Sequence, residues 1–358
     1  MKILFTALTT RLKTGARYAE SLICRALRRE HEVELLCLEE SRLARLGKLG
    51  AVWFGYLPLF LRRRYNLIFT SDSFVFADLV YVQPPAGKDV CLPIRDGMFY
   101  SPRFNRIYDL AQKPLELLLE RRTRFLANSF YTKRLIKKFL GKEAEVIYPP
   151  VPVHLYPENP SEERENLVVT LSALNPRKNL RLIAEVARRV PEAKFILVGY
   201  FYPRFAHILK EISAQLEKEG LSENFIYIPS TSDTEKVRLL ERAKVYFHPA
   251  LCEPFGISIA EGMAAGCIPV VHDSGGPQEF VPQRWRYEDA DEAASKLRLA
   301  LKLWDPGLAK ELRTAVLCFS EERFEMQMLQ VVENFAGHPR SFPISPQVAE
   351  LPKVVHTR

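Results

Sequence analysis

The chain is 358 residues long, 47% hydrophobic and 26% charged, which suits two ordinary globular domains with a core each. Its longest apolar run, residues 51–61, falls short of the roughly 18 needed to cross a bilayer. The apolar start before Thr6 reads as a first strand and is too short for a signal peptide, so a chain neither exported nor membrane-spanning is expected.

The net charge of +8 is unevenly divided. Residues 1–150 carry 26 Lys and Arg against 15 Asp and Glu, a net of +11, whereas the remainder stands at −3. The first half is therefore expected to meet something anionic: phosphorylated lipid, a membrane surface or nucleic acid. It shows no aromatic-basic recognition motif, which ranks nucleic acid last. The six cysteines are scattered without a Cys-x-x-Cys pair and the seven histidines have no ligand spacing. Reduced thiols in a cytoplasmic protein, with no bound metal, are the expectation.

Strand-like and helix-like segments alternate along the chain, the pattern of parallel sheets with crossover helices. Residues 2–5, 33–38, 66–70, 79–82, 125–127 and 146–148 read as strands, with helical periodicity over 16–29 and 132–139. Residues 51–61 are followed by Arg62, Arg63 and Arg64; they read as a core helix, with an anionic membrane contact as the alternative. Five prolines crowd into residues 148–160 and mark a linker, because proline can continue neither a helix nor a central strand. Strands follow at 168–171, 194–198, 225–228, 245–247 and 268–271, with a helix over 179–190 and helices through 291–335. The reading is an α/β chain with two Rossmann-like domains facing a cleft. The first covers 1–150 and the second 161–320; a helix over 321–336 returns to the first domain, and 337–358 form a proline-rich tail.

The densest signal is Glu253-Pro-Phe-Gly-Ile-Ser-Ile-Ala-Glu261-Gly-Met-Ala-Ala-Gly266. Pro254 and Gly256 mark a loop, and a helix is predicted to start near Ile257. Its first amides lie at the positive end of the helix dipole and suit a diphosphate. Glu261, in the second turn, can accept both hydroxyls of a ribose, and Glu253 can reach hydroxyls of a sugar. Gly262, Ala264, Ala265 and Gly266 let that helix lie close to the sheet. Asp289-Ala-Asp291 spells a metal-binding triplet, but it precedes a helical pattern and is expected to cap that helix.

This segment resembles the nucleotide-sugar site of retaining glycosyltransferase family four, which has the GT-B fold. Further matches are Lys178 in Leu171-Ser-Ala-Leu-Asn-Pro-Arg-Lys-Asn179, the turn Asp273-Ser-Gly-Gly-Pro-Gln-Glu279, Asn128-Ser129, and Tyr148-Pro-Pro150. The resemblance covers about residues 1–336 and is most specific from Asn128 to Val281. It implies transfer of a sugar from a nucleotide-diphosphate sugar with retained configuration. The second domain would bind the donor and the first the acceptor. Lys178 and Glu253 would act in catalysis, and the donor would be held by Gly15, Arg177, Lys178, Glu253, Phe255, Gly256, Ile257, Ser258 and Glu261. The chain departs from the family at Ala173, where a diphosphate-binding arginine is usual and which Arg177 either replaces or does not. It departs again at Gln83, an acceptor-side candidate where histidine is usual. Gly15 stands where the family has two glycines.

Within the family, the Asn-Ser, Tyr-Pro-Pro and Ser-Gly-Gly-Pro landmarks look most like the GDP-mannose α-1,2-mannosyltransferases of lipid-linked oligosaccharide synthesis. That implies a glycan or polyprenyl-phosphate-linked acceptor and a peripheral position on the cytoplasmic membrane face. The alternatives are a UDP-glucose or UDP-GlcNAc enzyme with a soluble acceptor, and a catalytically inactive relative that binds nucleotide or membrane. No cofactor is expected, the nucleotide sugar being a substrate.

Overall fold

The structure, a computed structural model, describes residues 1–7, 15–71, 75–83 and 123–337. Cys91 and the tail from residue 338 lie outside the described residues. The chain divides into two compact units: Met1–Pro150 together with the segment from Glu321, and Val151–Ser320.

The first unit holds six parallel strands: β1 (Lys2–Ala7), β2 (Glu32–Cys37), β3 (Leu67–Thr70), β4 (Leu79–Val82), β5 (Arg124–Ala127) and β6 (Ala144–Val146). They pair in the order β2-β1-β3-β4-β5-β6, all in parallel. The strands are short and apolar because both faces are covered. One face is packed by α1 (Gly15–Glu30), whose Ala19, Leu22, Ile23 and Leu27 are buried. On the other face Leu4, Ile68, Val80 and Phe125 gather with Ile136 of α3 (Phe130–Leu140). Between the two in sequence lies α2 (Gly47–Leu61). The landmark Asn128-Ser129 is structural: Ser129 caps α3 by accepting the Thr132 amide at 3.0 Å, and the Asn128 side-chain amide donates to the Gln83 carbonyl at 2.8 Å. A cap of this kind contributes about 1 kcal/mol.

The strand predicted over 146–148 instead ends at Val146, and the prolines after Tyr148 explain the early stop. A last helix, α10 (Glu321–Gly337), lies along α1. Its Phe324, Met328 and Val332 enter the core of the first unit, and Phe324 meets the Tyr81 ring at 5.9 Å. Arg25 and Arg29 of α1 bridge to Glu321 and Glu325 across that contact.

The second unit also holds six parallel strands: β7 (Glu165–Leu171), β8 (Lys194–Gly199), β9 (Phe225–Pro229), β10 (Ala243–His248), β11 (Ile268–His272) and β12 (Arg286–Tyr287). Their order is β12-β11-β10-β7-β8-β9. The two-residue β12 is too short to leave a period in the sequence. Six helices fill the crossovers and the end of the unit: α4 (Leu182–Arg189), α5 (Ala206–Lys218), α6 (Asp233–Arg242), α7 (Ile257–Ala264), α8 (Ala290–Leu303) and α9 (Pro306–Val316). The proline-rich stretch is anchored here: Val151 and Tyr156 are buried, and the Val151 amide donates to the Phe319 carbonyl at 2.8 Å.

Candidate active site

The second sheet changes direction between β7 and β10. The chain steps outward from β7 to β8 and β9, then returns to the other side of β7 for β10, β11 and β12. At such a reversal the loops beyond the carboxyl ends part in opposite directions and leave a crevice for ligands. The loops after β7 and β10 carry Lys178 and Glu253.

The loop after β7 forms a tight turn where the sequence predicts a helix from 179. The Asn175 side chain accepts the Arg177 amide at 2.9 Å, and Pro176–Lys178 make one 3-10 turn. Asn179 then adopts a left-handed conformation with φ 50°, its side chain donating to the Pro249 carbonyl at 3.2 Å. Asparagine tolerates that conformation. The helix therefore starts only at Leu182, and the turn aims Lys178 at the neighbouring loop.

There the Lys178 Nζ lies 2.6 Å from Glu253 Oε2, and the same oxygen lies 3.1 Å from Nε2 of His248. His248 is buried at the end of β10, near-parallel to the Tyr246 ring at 6.3 Å. Burial opposes ionisation of Glu253, but the Lys178 charge and the His248 hydrogen bond together outweigh it. The carboxyl is held well below the ordinary carboxylate range. Burial lowers the His248 pKa in spite of the adjacent carboxylate, so the imidazole is neutral at pH 7 and donates Nε2–H to Glu253. Its Nδ1 has no partner among the described residues.

The loop carrying Glu253 is clamped by the glycine turn after β11. The Gly276 amide donates to the Glu253 carbonyl at 2.8 Å, and the Cys252 amide donates to Ser274 Oγ at 2.8 Å. A Cβ on Gly275 would sit 2.3 Å from the Glu253 carbonyl oxygen, and Gly275 has φ 79°. Only glycine satisfies both limits.

The helix α7 begins at Ile257, where the sequence places it. Gly256, at φ 99°, precedes it without a side-chain cap, and its carbonyl accepts the amides of Ile259 and Ala260. The amides of Ile257 and Ser258 precede the first intrahelical bond and stand at the positive end of the dipole. Gly262 brings α7 onto the sheet, since a Cβ there would meet the Tyr246 ring at 2.6 Å. The Phe255 side chain lies in an aromatic core with Phe280 and Phe319, each 5.0 Å away. That position leaves a ligand only the Phe255 backbone.

Glu261 belongs to a second cluster. It is buried, with Oε1 2.6 Å from Lys236 Nζ of α6 and 3.3 Å from the Tyr156 hydroxyl. Burial disfavours the Lys236 ammonium, yet Glu261 and Asp233 raise its pKa overall. Sequence reasoning missed Lys236, Tyr156 and His248. Lys236 reads as part of a solvated helix face, Tyr156 as part of a proline-rich linker and His248 as the end of a strand. An available signal was the Ser232-x-x-Glu235 capping box, which fixes where α6 starts and hence Lys236 in its first turn.

Arg177 is exposed and makes no ion pair among the described residues. Gly15 and Gln83 lie in the first unit, where Gly15 opens α1 and the Gln83 side chain donates to the Ala16 carbonyl at 3.2 Å. Asp289 caps α8 by accepting the Glu292 amide at 2.8 Å, and Asp291 pairs with Arg189 at 2.6 Å.

Residues 155–314, which include both clusters, match the family model for glycosyl transferases group 1. This segment is a glycosyl transferases group 1 domain. The chain is also 27% identical over 288 residues to a Dictyostelium discoideum protein named GDP-Man:Man(3)GlcNAc(2)-PP-Dol alpha-1,2-mannosyltransferase, with 74% of this chain and 55% of that protein covered. The human protein of the same name is 27% identical over 237 residues, with 58% of this chain and 48% of that protein covered. The chain thus spans about half the length of these curated relatives. Among solved structures, Anabaena HepE in complex with UDP and glucose superposes with a TM-score of 0.70 at 18% identity, over 93% of this chain and all of that one. WaaG, a glycosyltransferase involved in lipopolysaccharide biosynthesis, gives 0.70 at 15% identity over 92% of this chain and 99% of that one. The two Rossmann-like units with parallel sheets are those of the GT-B glycosyltransferases.

Proposed function

We propose that this chain is a retaining glycosyltransferase of family four that transfers mannose from GDP-mannose to a lipid-linked glycan at the cytoplasmic side of a membrane. The observation that carries the reading is the Lys178–Glu253–His248 cluster at the reversal of the second sheet, next to the open start of α7. The named relatives support the choice of donor and acceptor.

In this reading the diphosphate lies against Lys178 and the amides of Ile257 and Ser258. Glu253, kept ionised by Lys178 and fixed by His248, accepts hydroxyls of the sugar through its remaining lone pairs. Glu261 accepts the ribose hydroxyls, and Lys236 and Tyr156 hold its carboxylate still. As the bond from the anomeric carbon to the β-phosphate oxygen breaks, negative charge gathers on the phosphate where Lys178 and the helix amides already stand. The acceptor hydroxyl oxygen bonds to the anomeric carbon on the same face, and its proton passes to the departing phosphate. The basic first unit would take the acceptor, with Gln83 at the carboxyl end of β4 as a contact. Gly15 would face the donor phosphates. No metal is required in this scheme.

The test is a thermal-shift comparison of GDP-mannose, UDP-glucose and UDP-GlcNAc, followed by transfer of radiolabelled sugar to polyprenyl-linked and soluble acceptors. A ligand at 100 times its Kd adds about 2.7 kcal/mol of stability. Stabilisation by GDP-mannose alone and transfer to the lipid-linked acceptor is the expected result. Stabilisation by a UDP-sugar alone would reassign the donor, and binding without transfer to any acceptor would point to an inactive relative.

A further inference from the structure

We infer that α2 docks the first unit on an anionic bilayer surface, with Trp53, Tyr56, Leu57 and Phe60 entering the interface and arginines at both ends meeting lipid headgroups. Spacings of three, four and seven residues place these four side chains on one face of the helix. Trp53 is 59% exposed and Phe60 71%, with Tyr56 and Leu57 partly exposed between them. The opposite face is spent on the core: Phe54, Gly55 and Pro58 are buried, and the Gly55 carbonyl accepts the Phe76 amide at 2.8 Å. The helix therefore has a packed side and an apolar side turned outward, so the core and membrane readings of its sequence describe its two faces.

Charge decides what that outward side fits. Residues 41–71 contain six Lys and Arg and no Asp or Glu. Arg42 and Arg45, exposed in the turn Arg42–Leu46, precede the helix, and Arg63 and Arg64, exposed in the turn Arg62–Arg64, follow it. Arg62 is committed to Asp78 at 3.2 Å and to the Tyr65 carbonyl, whereas Arg63 and Arg64 form no ion pair among the described residues. An apolar stripe with tryptophan, bounded at both ends by arginine and free of acidic residues, matches the layered chemistry of an anionic interface. A protein partner or second copy would have to neutralise both arginine groups with its own carboxylates, and this stretch supplies none. The inference stands without the transferase reading, because docking needs neither donor nor acceptor.

The experiment is co-sedimentation of the whole chain with vesicles of phosphatidylcholine alone or mixed with phosphatidylglycerol, combined with tryptophan emission. Binding to the mixed vesicles, release by high salt and a blue shift that disappears in Trp53→Phe are expected. The two other tryptophans, Trp285 and Trp304, lie in the second unit, and Trp285 is fully buried. Each arginine near an anionic surface changes partitioning about fivefold, so Arg63→Glu with Arg64→Glu should weaken binding by about 25-fold or more. Trp53→Ser with Phe60→Ser should weaken it too, and melting curves like the parent's would establish that both variants fold. Equal binding to neutral and anionic vesicles, no binding to either, or folded variants that bind like the parent would overturn the inference. So would a dimer in solution that dissociates in Trp53→Ser with Phe60→Ser, since the face would then join two copies.

Discussion

Lys178 and Glu253, 75 residues apart in the chain, meet at 2.6 Å because β7 and β10 are neighbours in the sheet and their loops leave it at the same end. The contact neutralises the lysine before any ligand arrives. An incoming diphosphate would then share Lys178 with Glu253 and rely on further positive charge.

That shared lysine makes Arg177 informative, since position 173 is alanine. If Arg177 swings onto the diphosphate, Arg177→Ala should lower kcat by about 10²–10³-fold, the scale of one lost transition-state donor. Lys178→Ala should cost at least as much, and the double variant less than the product, because both act on one leaving group. An Arg177→Ala enzyme within a few-fold of the parent would make Arg177 a turn residue; Ala173→Arg should then raise activity. If neither Arg177→Ala nor Lys178→Ala affects turnover, the diphosphate is held elsewhere.

Glu261 and Glu253 should separate kinetically. Glu261→Ala removes contacts remote from the breaking bond and should raise the donor KM with little change in kcat, whereas Glu253→Ala should lower kcat at saturating donor. Lys236→Met should imitate Glu261→Ala, and the two together should add little, since Lys236 acts through the carboxylate. Steady-state kinetics on the four enzymes decide the matter. A Lys236→Met effect on kcat alone would refute a positioning role.

His248 makes a prediction about pH. Its folded pKa lies below the ordinary value near 6.5, so the unfolded chain takes up a proton that the folded chain refuses. The stability this confers is present above about pH 6.5 and is lost as pH falls toward the folded pKa, at a limiting slope of about 1.4 kcal/mol per pH unit. Glu253, also depressed, contributes in the same direction only below the ordinary carboxylate range. His248→Gln, measured by urea unfolding between pH 7 and pH 5, should show a shallower decline than the parent. Parallel curves would mean that His248 is protonated in the fold.

Transfer should survive metal removal. In the proposed scheme Lys178 and the α7 amides occupy the place of a cation, and Asp289 and Asp291 are engaged in a helix cap and an ion pair. Activity that disappears after exhaustive EDTA treatment and returns with manganese would contradict the scheme.

The sequence by itself determined what depends on neighbours along the chain. Short apolar runs alternating with helical periods announced the parallel α/β architecture, because a strand buried on both faces must be apolar throughout. Pro254, Gly256 and the small residues after Glu261 announced a loop, the start of α7 and its close approach to the sheet, since each residue type restricts its own backbone. Tertiary structure decided which distant segments meet. Strand order was one such choice: the first sheet reverses beside β1 and β3 and the second between β7 and β10, though both are built from the same alternation. Another was the partnership of each charge. Lys178 found Glu253 and His248, and Lys236 found Glu261, across separations that leave no periodic mark. The two faces of α2 were likewise divided only by folding, because an apolar helix fixes its own conformation but not which side the rest of the unit will cover.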